Sequence, residues 1–93
     1  MHLAEFEADA QRQGYELTEA EIGPDLDREA HAHDFDVRFL VIDGAFTLTI
    51  AGEERTYRPG DQCSVPAGTM HAEHTGPGGA RFVVGTRPEA PQP

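Results

Sequence analysis

In the stretch His31-Ala32-His33-Asp34-Phe35-Asp36-Val37-Arg38-Phe39-Leu40-Val41-Ile42, a His-x-His pair runs into an alternating and then wholly apolar segment. Successive side chains of a β-strand point to opposite faces, so residues two apart share one. On a strand reading, His31, His33, Phe35, Val37, Phe39 and Val41 share a face that is otherwise apolar and therefore turned inward. Two imidazoles directed into an apolar interior need partners, because an unpaired polar nitrogen is costly there. A metal ion satisfies both at once. Taken alone, the pair also reads as two ordinary polar residues of a strand.

A third imidazole waits downstream, in Pro66-Ala67-Gly68-Thr69-Met70-His71. Alternation puts Glu73 on the face of His71, and Ala72 and His74 on the other, so His74 is expected at the surface. Three imidazoles completed by a carboxylate or water suit Zn, Fe, Ni, Mn or Cu, and the donor set does not choose among them.

Outward from these motifs the chain reads as one helix followed by strands. Leu3, Phe6 and Ala10 have helical spacing, with acidic residues early, Arg12 late and Gly14 as the stop, which predicts a helix over residues 3–13. Strands are expected at 15–22, 28–34, 36–42, 46–50, 53–58, 62–65, 70–75 and 80–85. Hairpin or turn signals separate them at Gly23-Pro24, Asp43-Gly44, Ala51-Gly52, Pro59-Gly60-Asp61, 66–69 and 76–79. Many short strands with frequent turns indicate an all-β sandwich or small barrel. The 93 residues allow one domain, divided into a helix (1–14), a barrel (15–87) and a flexible tail (88–93).

Phe39-Leu40-Val41-Ile42 is apolar on both faces, so one face should fill the interior and the other should be covered. The N-terminal helix or a second copy of the chain could supply that cover, and a homodimer is expected on this ground. The formal net charge of -10 argues against nucleic acid and anionic membrane surfaces as partners. No run of the sequence has the length of a membrane span. The first turns are acidic and lack the basic-then-apolar pattern of a secretory signal, which leads to the expectation of a cytoplasmic protein. Cys63 reads as a small core residue. Arg38, Arg55 and Arg58 are expected on outer or exposed faces.

Residues 26–87 resemble the cupin superfamily, and the chain is similar to a small single-domain member. That family's first motif runs Gly, spacer, His-x-His, three or four residues, Glu, six residues, Gly. Here it is matched by His31-Ala32-His33, Asp34-Phe35-Asp36, then residues 37–43 and Gly44. The second motif, Gly, five residues, Pro-x-Gly, two residues, His, three residues, Asn, is matched by Gly60, Pro66-Ala67-Gly68 and His71, with Thr75 in place of asparagine. The resemblance implies a double-stranded β-helix, or jelly-roll barrel, with a metal at His31, His33 and His71. The family's metal-binding glutamate would fall at Val37 or Arg38, neither of which can ligate. Glu73 is the candidate substitute, and Asp36 a further one if the strand bulges. Asp25 stands where the opening glycine is expected, with Gly23 too far upstream.

The functions this implies are a metal-binding barrel acting as a small-molecule sensor or as an enzyme of unassigned reaction. The alternative is a non-catalytic module whose site is empty or vestigial, serving dimerisation or ligand sensing. A cavity lined by Phe35, Val37, Phe39, Phe46, Leu48 and Val65 favours a small, partly apolar ligand over a sugar phosphate, which calls for inward cations.

Overall fold

Phe46, Leu48 and Ile50 alternate with Thr47 and Thr49, and this alternation proves to be the second half of one long strand. The structure is a computed structural model that describes residues 3–88. Its elements are α1 (Leu3–Arg12), β1 (Glu16–Ile22), β2 (Asp27–His31), β3 (Phe35–Ile50), β4 (Glu53–Tyr57), β5 (Gln62–Val65) and β6 (His71–Pro88). β3 and β6 pair antiparallel along most of their length, from Phe35 opposite Pro88 to Thr49 opposite Ala72.

This long pair carries two half-sheets. The end of β3 and the start of β6 are flanked by β4 and β2; the start of β3 and the end of β6 are flanked by β5 and β1. Side chains from both halves meet in one core of Ile22, Phe39, Val41, Phe46, Leu48, Val65, Ala80 and Phe82. Edge-to-face packing fixes the rings there, with Phe39 5.2 Å from Phe46 and 5.4 Å from Tyr57. Cys63 is half-buried against this core.

Two expected turns are absent. Asp43-Gly44 does not close a hairpin and residues 76–79 do not separate two strands; both lie within β3 and β6, where the long pair bends. The register shifts at this point, so that residues 76–79 lie opposite Ala45 alone. Gly44 has φ +77° and Gly79 φ +64°. A Cβ on Gly44 would run into the carbonyl oxygen of Gly79. Here glycine permits a bulge and a close backbone approach. The true hairpin is Ala51-Gly52, with φ +53° and +81°, as a two-residue turn between twisted strands requires.

The outer face of Leu40 is covered from within the chain. Phe6 is wholly buried against Leu40 and Val83, with Leu17 and Ile42 beside them. Burial of a side chain of this size contributes about 1.5–3 kcal/mol. The helix, one of the two covers expected for this face, therefore lies over it. Gly14, at φ +87°, ends α1, and the Tyr15 N–H turns back to the Ala10 carbonyl at 3.0 Å. Leu3, expected on the packed stripe, is 40% exposed.

Arg38 lies on the outer face, one of the two placements expected for it, but is buried there because α1 closes over it. Its guanidinium donates to Asp9 and Gln13 of the helix segment and to Gln62, each at 3.0 Å, and stacks 5.0 Å from the Phe6 ring centroid. Arg55 and Arg58 are exposed. Of the expected tail, Pro88 closes β6 opposite Phe35, and residues 89–93 lie outside the described residues. Arg87, at the end of β6, is tied to Asp36 and to the Gln13 carbonyl.

Candidate metal centre

Cross-strand register brings the imidazoles together. His31, the last residue of β2, pairs with His71, the first of β6. Glu73 follows on the same face, and β3 places Leu48 beside it. His33 is not in the strand expected for it: β2 stops at His31, and His33 sits in the link to β3. Its ring is held by stacking on Phe35, 4.7 Å between centroids at 16°. The three rings lie 4.4–5.3 Å apart.

Ligand atoms of His31, His33, His71 and Glu73 all fall within 4.8 Å of one another. Two donors on opposite sides of one ion, with bonds of roughly 2.0–2.2 Å, span about 4.2 Å, so the spread is close to that of a coordination shell. Hydrogen bonds decide which nitrogens are offered. The Nδ1 of His31 lies 2.8 Å from the Glu29 carbonyl and that of His71 2.9 Å from the Thr69 carbonyl. A carbonyl only accepts, so each Nδ1 carries the proton and each neutral ring presents a lone pair at Nε2. Both Nε2 atoms face the same carboxylate oxygen, Glu73 Oε1, at 3.5 and 3.3 Å. Two lone pairs and an anionic oxygen converge on one spot, an arrangement that a cation among them would satisfy. The donor set fits a divalent transition metal.

Burial, and then the neighbouring rings of His31 and His71, hold His33 below its ordinary pKa of 6.5. A ring kept neutral keeps its lone pair for a metal. His71 is 4% exposed and Glu73 9%, whereas His31 sits at the rim.

Behind the cluster lies a cavity of about 250 Å³ whose lining includes Phe35, Val37, Phe39, Phe46, Leu48 and Val65. Phe82 and Val84 also line it; the alternation Ala80, Phe82, Val84 carried that signal. Arg28 lines it too, with its guanidinium 3.4 Å from Glu73 Oε2. Simple alternation would set Arg28 on the face opposite His31. A register shift between them reverses this, and nothing in the local sequence announces it.

Asp36 does not reach the cluster. Its carboxylate lies on the outer side, accepting the Ala67 N–H at 2.9 Å and the Arg87 Nε–H at 3.0 Å. The expectation of an additional ligand there is corrected: β3 does not bulge before Asp36, so alternation keeps it outward. His74 is half-buried, opposite Asp27 and Thr47, and outside the cluster. Val37 occupies the cavity wall where a family glutamate would stand.

A bent pair of long strands, two facing half-sheets and a histidine-glutamate cluster at the cavity define a cupin-type β-barrel. The family model described as "Cupin domain" matches residues 18–85, and the chain belongs to the cupin family. No curated protein matches it significantly. Among solved structures it is similar to a protein of unknown function from Rhizobium leguminosarum bv. viciae 3841. That match has TM-score 0.74 and 19% identity over 83% of this chain and 73% of the other. It is also similar to KdgF from Halomonas sp., with TM-score 0.68 and 24% identity over 80% and 68% of the two chains. A chain from the crystal structures of the DMSP lyases RdDddP and RnDddQII gives TM-score 0.71 and 25% identity, over 81% of this chain but 39% of that one. The likenesses to the first two are likenesses of fold. Among the described residues, no helix is long and apolar enough to cross a membrane.

Proposed function

We propose that this cupin barrel holds one divalent transition metal between His31, His33, His71 and Glu73, and presents it to a small, largely apolar molecule in the cavity behind. The observation that carries the reading is the convergence of His31 Nε2 and His71 Nε2 on Glu73 Oε1, with both Nδ1 atoms tied back to carbonyls. Bound there, the metal would supply Lewis-acid polarisation of a ligand oxygen. The chain's own part is to fix the two ring tautomers, to keep His33 neutral, and to wall the cavity with apolar side chains that exclude water. Sensing and catalysis both use such a site; the solved neighbour described among DMSP lyases supports keeping an enzymatic role within the proposal.

A second reading, a barrel without metal, draws on Arg28. Its guanidinium already lies against Glu73 Oε2 and supplies a positive charge to the cluster. Thermal unfolding with and without Zn, Ni, Mn and Fe(II) separates the two. At a metal concentration about a hundred times Kd, the first reading expects stabilisation of roughly 2.7 kcal/mol, abolished in His31→Ala and His71→Ala. Unfolding unchanged by every metal would favour the second.

A further inference from the structure

We propose that Arg28 makes the cavity mouth a receptor for the carboxylate of a short, apolar monocarboxylic acid, and that filling the metal centre releases Arg28 for this task. The release step rests on the metal reading above; the carboxylate site itself does not.

Arg28 is the one lysine or arginine among the residues that line the cavity. Unlike Arg38, it has no packing duty. Its side chain is 54% exposed, and its single ion pair to Glu73 is 3.4 Å long, against about 2.7–2.9 Å for a well-formed charge-assisted bond. It shares the inner face with Glu73 and Leu48 through cross-strand register. The guanidinium therefore stands at the junction between the histidine cluster and the apolar wall of Phe46, Leu48, Phe82 and Val84.

Charge bookkeeping gives the switch. Without metal, Arg28 and Glu73 cancel. With a divalent ion among three neutral rings, the ion and Arg28 outweigh the lining carboxylates of Glu21 and Glu73 by one charge, and the mouth becomes positive on a chain whose formal net charge is -10. That local field attracts an anion, and Glu73, drawn to the ion, loosens its hold on Arg28. One guanidinium fork matches one carboxylate bidentately. A second anionic group would meet no further arginine or lysine in the lining, and would face the carboxylates of Glu21 and Glu73. The cavity of about 250 Å³ holds roughly eight water-sized groups at ~30 Å³ each, the size of a six-carbon acid.

Hexanoate and its neutral isostere hexanamide, titrated calorimetrically, test this. The samples are zinc-loaded wild type, metal-free Glu73→Gln, which frees Arg28 without any metal, and each of these with Arg28→Gln. Arg28 is exposed on a short strand, so the fold survives its loss. Expected is a preference for hexanoate of about tenfold or more in the first two samples, the scale of one charge-assisted hydrogen bond; Arg28→Gln should abolish it in metal-free Glu73→Gln and lower it in the zinc-loaded protein, where the field of the ion remains. A preference that survives Arg28→Gln in the metal-free Glu73→Gln background, or none in metal-free Glu73→Gln itself, overturns the proposal. If wild type takes up no zinc while Glu73→Gln still prefers hexanoate, the metal reading fails and the carboxylate site stands.

Discussion

Two polar clusters sit on opposite faces of the same barrel, and they are built differently. Outside, under α1, donors and acceptors are matched: Arg38 donates to Asp9, Gln13 and Gln62, while Asp36 accepts from Ala67 and Arg87. Inside, acceptors are in surplus: His31 Nε2, His71 Nε2 and Glu73 Oε1 face one another with their other partners already fixed. A matched cluster is a fastening for the helix. A cluster with surplus acceptors suits a cation, which is the basis of the proposed metal site, and this difference sets the two networks apart.

The largest expected effect lies outside. Phe6→Ala empties a wholly buried position and should cost about 3–5 kcal/mol in urea denaturation of the metal-free protein. The metal affinity of the folded variant should stay at the wild-type value. A parallel fall in affinity would mean the two faces are coupled and the comparison is too simple. Next, His71→Ala should weaken metal binding by more than about a hundredfold, above the 10–100-fold typical of supporting residues. Competition with a chromophoric chelator measures it.

A pH series separates the clusters without mutation. Asp36 is held below its ordinary 3.8, first by the Ala67 N–H and then by Arg87. Its stabilisation is therefore complete above pH 3.8 and is lost only as pH falls below that through its folded pKa. His33 is held below 6.5 by burial and by the neighbouring rings. Protonation is thus disfavoured in the folded chain, so its stabilisation is complete above pH 6.5 and is lost below it, down through the lowered pKa. Bound metal should be released on acidification as well, since protonated imidazole cannot ligate. Denaturation midpoints of apo and metal-loaded protein should converge well above the pH at which the outer pairs fail; a gap persisting to pH ~4 would exclude imidazole ligands. The smallest effect belongs to His74→Ala, which should change metal affinity and stability by no more than about 0.5 kcal/mol. A loss equal to that of His71→Ala would reverse the assigned face of β6.

Alternation made much of this legible in the sequence. Phe39, Phe46, Leu48 and Val65 line the cavity as parity required, and Glu73 joins His71 by the same rule. What escaped depended on backbone events that parity does not encode. The register shift between Arg28 and His31 turned an arginine inward. The bulged bend at Gly44 and Gly79 made two long strands look like four short ones, because a glycine that allows close backbone approach is spelled like one that makes a turn. His33 reached the cluster from a link rather than a strand, guided by its stack on Phe35. The burial of Arg38 rests on Asp9, far away in sequence on the helix, which no local pattern reveals.

The central claim, a transition metal held by three imidazoles and Glu73, is tested most directly by elemental analysis of untagged protein equilibrated with zinc and then desalted. The account predicts close to one equivalent retained per chain, and nearly none in a His31→Ala, His71→Ala double variant. Retention below roughly a tenth of an equivalent in the wild type, or equal retention in the double variant, would contradict it.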